Sequence, residues 1–202
     1  YEYQKVRGHE KPLNFYRDYK GILVTDSLEQ YHLLDRKLPD VTNANCWAHA
    51  RRAFADAVKA ADKKDPQAVK SSVAYRALQK IAEFYSIDTG LKELPKEERL
   101  KQRQEKIQPM VEEFFAWVKQ QVSEYAVPPK SKTGQGLNFI INQEKYLKVF
   151  LTDGDVPIDN SASERAIRTF CVGKKNWMFH NTARGAEASA LVYSISETAK
   201  LN

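Results

Sequence analysis

Gly21-Ile22-Leu23-Val24-Thr25-Asp26 is the stretch on which the fold turns. A compact apolar run of this length, closed by an acid, reads as a buried strand with Asp26 at its carboxyl end. Ser27 to Lys37 follows with Tyr31, Leu34 and Leu38 near one face, the spacing of an amphipathic helix. Val41 to Cys46 reads as a second short strand. Strand, helix and strand with few residues between them define an α/β unit. Upstream, Lys11 to Tyr19 suits a short helix, with Pro12 allowed in its first turn. Tyr1 to Arg7 alternates and is rich in tyrosine and valine, so another strand is expected there.

The character changes after Trp47. Ala48 to Ala61 (AHARRAFADAVKAA) is strongly helical, and Val69 to Tyr85 repeats apolar residues at Val73, Leu78, Ile81 and Phe84. A charged run from Lys92 to Lys106 leads into Ile107, Met110, Val111, Phe114, Phe115, Trp117 and Val118. One long helix is expected there, kinked or divided by Pro109. Val127-Pro128-Pro129 is a break, and Gly134 to Phe150 returns to helix. The block 50–147 therefore reads as an all-helical insertion between two parts of an α/β core, 1–49 and 148–202.

Composition narrows the partners. Lys plus Arg is 32 against 26 Asp plus Glu, a net charge of +6 that favours a polyanion over an acidic partner. Cys46 and Cys171 are too few for a disulfide framework and suit a reducing compartment. No apolar run approaches the roughly 20 residues of a membrane span. The first residue is Tyr1 rather than methionine, and the chain is expected to be part of a longer protein.

The chemistry concentrates in two places. Asp26 at a strand end is well placed for Mg2+, because ligands in open α/β sheets gather beyond the carboxyl ends of strands. It also fits a capping box with Glu29. Asp159-Asn160-Ser161-Ala162-Ser163-Glu164-Arg165-Ala166-Ile167-Arg168 holds the second acid. Ser161 to Glu164 is again a capping pattern, but a cap needs neither Asp159, Asn160, Arg165 nor Arg168. Glu164 and Arg168, four residues apart, share a helix face that offers a carboxylate to a metal and a guanidinium to a phosphate. Gly173-Lys174-Lys175-Asn176-Trp177-Met178-Phe179 reads as a basic loop ending in aromatics. It and His49-Ala50-Arg51-Arg52 are each basic segments next to aromatics that can bind phosphate and stack on an unpaired base, the alternative for each being a solvated surface with one core tryptophan. Cys46 and His49 have the spacing of half a zinc site, yet no second pair follows. They are expected to be structural, with His49 hydrogen-bonded near the core.

Thr25-Asp26, Cys46-Trp47-Ala48-His49-Ala50-Arg51-Arg52, Asp153-Gly154, Asp159-Asn160 with Glu164-Arg165, Gly173 to Phe179 and Tyr193 to Lys200 occur in one order. Together they resemble the transposases of the insertion sequence 66 family over nearly the whole chain. The resemblance implies a DDE transposase on a ribonuclease H-like fold, with core parts 1–49 and 148–202 around the insertion. It implies Asp26 as the second and Glu164 as the third catalytic, metal-binding acid, with their carboxylates close enough to share a metal. Arg51, Arg52, Arg165, Arg168, Lys174, Lys175 and Trp177 are the implied DNA contacts, and Cys46 and His49 are a structural signature. The implied cofactor is Mg2+ or Mn2+, two ions in the complete enzyme. The implied partners are transposon-end and target DNA, further copies of the chain and accessory element-encoded proteins, in the bacterial cytoplasm near the nucleoid. Two departures stand out: Asp26-Ser27-Leu28 where the family has Asp-Gly-Tyr, and Asn160-Ser161 where it has two asparagines. The first acid of the triad belongs upstream of Tyr1, so this chain by itself is expected to bind DNA without cleaving it. A DNA-binding remnant without catalysis, or a helical interaction module whose acids are only caps, are the alternatives.

Overall fold

The computed structural model describes residues 1–5, 8, 10–61 and 65–201. Two strands, β1 (Gly21–Thr25) and β2 (Val41–Asn45), pair in parallel from Gly21↔Val41 to Thr25↔Asn45. Helix α1 (Glu10–Tyr16) precedes them and α2 (Glu29–Lys37) connects them. The strands end level with one another, so whatever follows Thr25 and Asn45 shares one end of the sheet.

The rest is helical: α3 (Trp47–Ala50), α4 (Arg52–Ala60), α5 (Pro66–Ser71), α6 (Val73–Gly90), α7 (Lys96–Gln102), α8 (Gln108–Ser123), α9 (Lys132–Asn142), α10 (Glu144–Leu147), α11 (Ser161–Trp177) and α12 (Ala183–Leu201). The described part of the block 50–147 contains helices and turns and no strand, as its periodicity predicts. Val73, Ile81 and Phe84 are buried, and Leu78 is partly so. Ser72 and Ser131 cap α6 and α9 by accepting from the Tyr75 and Gly134 N–H groups. The long helix expected around Pro109 runs from α7 through a π-helical turn, Arg103–Ile107, directly into α8, and this irregular turn just before Pro109 accommodates its missing N–H.

The mixed α/β class holds, but the chain is predominantly helical and its sheet has two strands among the described residues. Tyr1 to Lys5 is not a strand, and Val6 and Arg7 lie outside the described residues. Tyr1 instead packs on the C-terminal helices. Its ring meets Phe170 and Tyr193, and its amino group donates to Ser194 Oγ. Side-chain packing there takes the place of strand pairing. The expected loop over Gly173–Phe179 is also corrected: Gly173 to Trp177 continue α11, because nothing in Gly-Lys-Lys-Asn interrupts a helix already nucleated.

Trp47 is the centre of the core. It is fully buried, its ring meets Phe84, Phe114, Phe115 and Phe150, and its Nε1–H donates to the Leu147 carbonyl at 2.8 Å. Trp47→Phe keeps an aromatic ring but leaves that carbonyl without a donor. A loss of about 1–3 kcal/mol in denaturant unfolding is expected. An unchanged midpoint would show that the bond contributes nothing.

Candidate active site at the strand ends

Three hydrogen bonds donated by backbone N–H groups bring distant segments to the carboxyl end of the sheet. The Cys46 N–H donates to the Thr25 carbonyl at 3.0 Å, extending the ladder by one residue. The Trp47 N–H donates to the Ile158 carbonyl at 3.1 Å, and the Asn160 N–H to Cys46 Sγ at 3.4 Å. The segment entering α11 is thereby fastened to the end of β2. Cys46 is fully buried, and burial raises its thiol pKa, consistent with packing rather than reactivity.

Two further anchors fix that segment. A side chain at Gly154 would place its Cβ about 2.0 Å from the Lys96 carbonyl oxygen, so the backbone approaches α7 as only glycine allows. Arg103, buried in the π-helical turn, donates through Nη1 to the carbonyls of Phe150, Asp153 and Val156, and through Nε to Asp88 at 2.7 Å. Neither role has a signature in the local sequence.

Glu164 lies in the first turn of α11, and its Oε1 is 3.2 Å from His49 Nε2. The capping box does not form. Asn160 occupies the cap position, and Ser161 is already helical. The helix start is satisfied instead by Asp159, which accepts the Ser161 N–H at 2.9 Å. Asp26 does not cap α2 either. Leu28 is the cap residue, and Asp26 Oδ1 takes only a long 3.4 Å bond from its N–H. Between them Ser27 holds a left-handed backbone, φ 70°, and its hydroxyl finds no partner among the described residues. Asn160 Oδ1 and His49 Nδ1 are likewise buried without a partner. Asp26 and Glu164 thus stand at the same end of the sheet, one directly after β1 and the other held to α3 beyond β2. Among the described residues, no group of three or more His, Cys, Asp or Glu side chains is arranged to hold a metal.

Burial would raise the Asp159 pKa, but hydrogen bonds from Ser161, the nearby Tyr85 phenol and the Arg165 charge outweigh it and hold the carboxyl low. Tyr85, on α6, was not singled out by sequence because its position reads as core. Burial, reinforced by Asp159, pushes its phenol pKa up, and its hydroxyl stops short of good hydrogen-bond geometry. Asp159→Ala should cost about 1 kcal/mol, as a lost helix-start acceptor does. The wild-type contribution is complete above the unfolded carboxyl value of about 3.9 and disappears as pH falls through the lower folded value. Unfolding at pH 7 and pH 3 checks this: the gap between wild type and variant should be narrower at the lower pH.

Arg51, Arg52, Arg165, Arg168, Lys174 and Lys175 are all exposed. At about 100° per residue, Glu164, Arg168 and Lys175 fall within a narrow stripe along α11, with Arg165 on its shoulder. Ala166, Phe170, Gly173 and Trp177 occupy the opposite face. Trp177, expected to be open to a base, is half-buried there between Phe170 and His180, with ring centroids 5.4 and 4.4 Å away. Cys171 is exposed, whereas Cys46 is buried. No helix among the described residues is long and apolar enough to cross a membrane.

The class these features define is a largely helical α/β protein with an acid–histidine pair at the carboxyl ends of parallel strands and a basic exposed helix leading away from it. The chain belongs to the IS66 transposase family, whose profile, described as "Transposase IS66 family", matches residues 1–188. Among curated proteins it is similar to three uncharacterized proteins of Sinorhizobium fredii (strain NBRC 101917 / NGR234). It is 32% identical to y4hP over 97% of the chain and 36% of that protein. It is 27% identical to y4qI over 100% of the chain and 37% of that protein. The third, y4jD, is 26% identical over 100% of the chain and 38% of its own length. The chain thus spans little more than a third of the curated relatives it matches. No solved structure matches it.

Proposed function

We propose that this chain carries part of the catalytic unit of a DDE-type DNA transposase, with Asp26 and Glu164 as two of its metal-binding acids. In this reading the strands and flanking segments 1–49 and 148–202 form part of a ribonuclease H-like core, and 50–147 is inserted between them. The observation that carries it is the His49–Glu164 contact, which brings Glu164 to the strand end that Asp26 follows. The donor set fits a hard divalent cation, Mg2+ or Mn2+. It consists of two carboxylates, with two oxygens that find no partner among the described residues: Ser27 Oγ, adjacent to Asp26, and Asn160 Oδ1, four residues before Glu164. When bound, such an ion polarises the scissile phosphodiester and activates the attacking oxygen.

The chain's own residues hold and orient. His49 Nε2 engages Oε1 of Glu164, and Oε2 is the oxygen this reading offers to the ion. Asp159 and Asn160 fix the start of α11, so Glu164 moves only with the helix. Arg165, Arg168 and Lys175 line one side of that helix and bind successive phosphates, while Arg51, Arg52 and Lys174 bind flanking ones. The substrates are transposon-end and target DNA. The complete assembly contains several copies with accessory element-encoded proteins, in the bacterial cytoplasm.

The test has two arms. Mn2+ binding to this chain, followed by electron paramagnetic resonance, should weaken about tenfold or more in Asp26→Asn and in Glu164→Gln, consistent with loss of a charged oxygen ligand. In the longer protein, both variants should abolish Mg2+-dependent strand cleavage and joining, whereas this chain by itself binds DNA without nicking it. Cleavage that survives Glu164→Gln would remove that residue from the metal site.

A further inference from the structure

The turn between α11 and α12 is built in an unusual way. Met178 takes a left-handed backbone, φ 57° and ψ −48°, at a position with a bulky side chain. Bulky residues avoid this region, and where it persists the surrounding structure holds it. Here the Met178 N–H donates to the Lys174 carbonyl and the Phe179 N–H to the Trp177 carbonyl, each at 2.7 Å. Trp177 is braced beneath by Phe170 and His180. The result pushes two large apolar side chains into solvent: Met178 is 68% exposed and Phe179 71%.

The surroundings identify what would cover them. From Arg165 to Ala186 the chain contains no Asp or Glu, while Arg165, Arg168, Lys174, Lys175 and Arg184 are all exposed. An apolar pair set between Lys174, Lys175 and Arg184, with Glu187 the nearest acid in sequence, complements a polyanion that also offers flat apolar faces, which is nucleic acid with an unstacked base. Phe and Met are among the side chains that enter opened base steps.

We propose that Phe179, backed by Met178, is a base-contacting wedge that stacks on an unpaired or flipped base of the bound DNA, and that Trp177 supports the turn from inside. The assignment rests on the DNA-binding reading above and adds the form of DNA preferred: a duplex carrying a base free of its partner. The strained Met178 geometry presents the wedge in advance, so little ordering is needed on binding.

The experiment compares two short duplexes, one fully paired and one with a single unpaired fluorescent aminopurine, by anisotropy and by quenching of that base. Wild type should bind the unpaired form about tenfold or more tightly and quench it, the effect of one base–aromatic stack. Phe179→Ala should erase both the preference and the quenching while paired-duplex binding stays within about twofold. Phe179→Trp should retain both. Because Phe179 is exposed, the alanine variant is expected to fold normally, and circular dichroism verifies it. Equal wild-type affinity for the two duplexes, or a Phe179→Ala loss shared equally by both, overturns the wedge and leaves the DNA-binding reading standing. A shift in sedimentation mass on Phe179→Ala, with DNA preference intact, assigns the turn to contact between copies and also overturns it. No salt-sensitive binding of either duplex by folded wild type removes both readings.

Discussion

Arg103→Ala is expected to destabilise the protein by about 3–5 kcal/mol, the cost of leaving a buried charge without its partner. Arg103 and Asp88 are 2% and 4% exposed, and water cannot replace either. The substitution strands the Asp88 carboxylate and also removes the donor shared by the carbonyls of Phe150, Asp153 and Val156. The melting temperature should fall by about 10 °C for a chain of this size. Arg103→Lys should recover little, because an ammonium cannot reproduce the planar fork that serves both Asp88 and the carbonyls. Hydrogen exchange provides a second readout: amides of the segment leading to Asp159 should lose protection more than those of α8. A variant as stable as wild type would show that the segment is held by the Gly154 approach and the Trp47–Ile158 bond instead.

The second large effect concerns the stripe on α11. Replacing Arg165, Arg168 and Lys175 together by alanine should lower the affinity for duplex DNA by two to three orders of magnitude at about 0.1 M salt. The slope of log affinity against log salt should also become shallower by about three, because each phosphate contact contributes roughly 0.9. The three side chains are exposed, so their removal should leave thermal stability within about 0.5 kcal/mol. Lys174, roughly a quarter-turn off the stripe by helical geometry, should contribute less than Lys175 when each is replaced singly. A slope unchanged in the triple variant would place the DNA on another surface, with Arg51 and Arg52 the next candidates.

These two cases mark what can be read from residues in order. The exposed arginines and lysines of α11 were legible because charge and helical spacing are local properties. Arg103 was invisible, since a lone arginine inside a charged run reads as a solvated face. Trp177 and Phe179 show the same divide. Sequence favours the tryptophan as the base contact, but the helix continues through Gly173 and turns Trp177 inward, so the exposed aromatic is Phe179.

The sequence by itself determined the strand pair Gly21–Thr25 and Val41–Asn45, the helical block with its buried faces, and the two acids set apart by that block. Each depends on a pattern completed within about one or two turns or a few strand residues, where backbone geometry and apolar spacing act together. Only the tertiary structure decided that neither acid serves as a cap, that His49 reaches Glu164, that Arg103 clamps the entry to α11, and that Tyr1 packs on the C-terminal helices instead of forming a strand. Those contacts join residues far apart in the chain. They form because burying the aromatic core around Trp47 brings the segments together and leaves few other partners for the polar groups carried in with them.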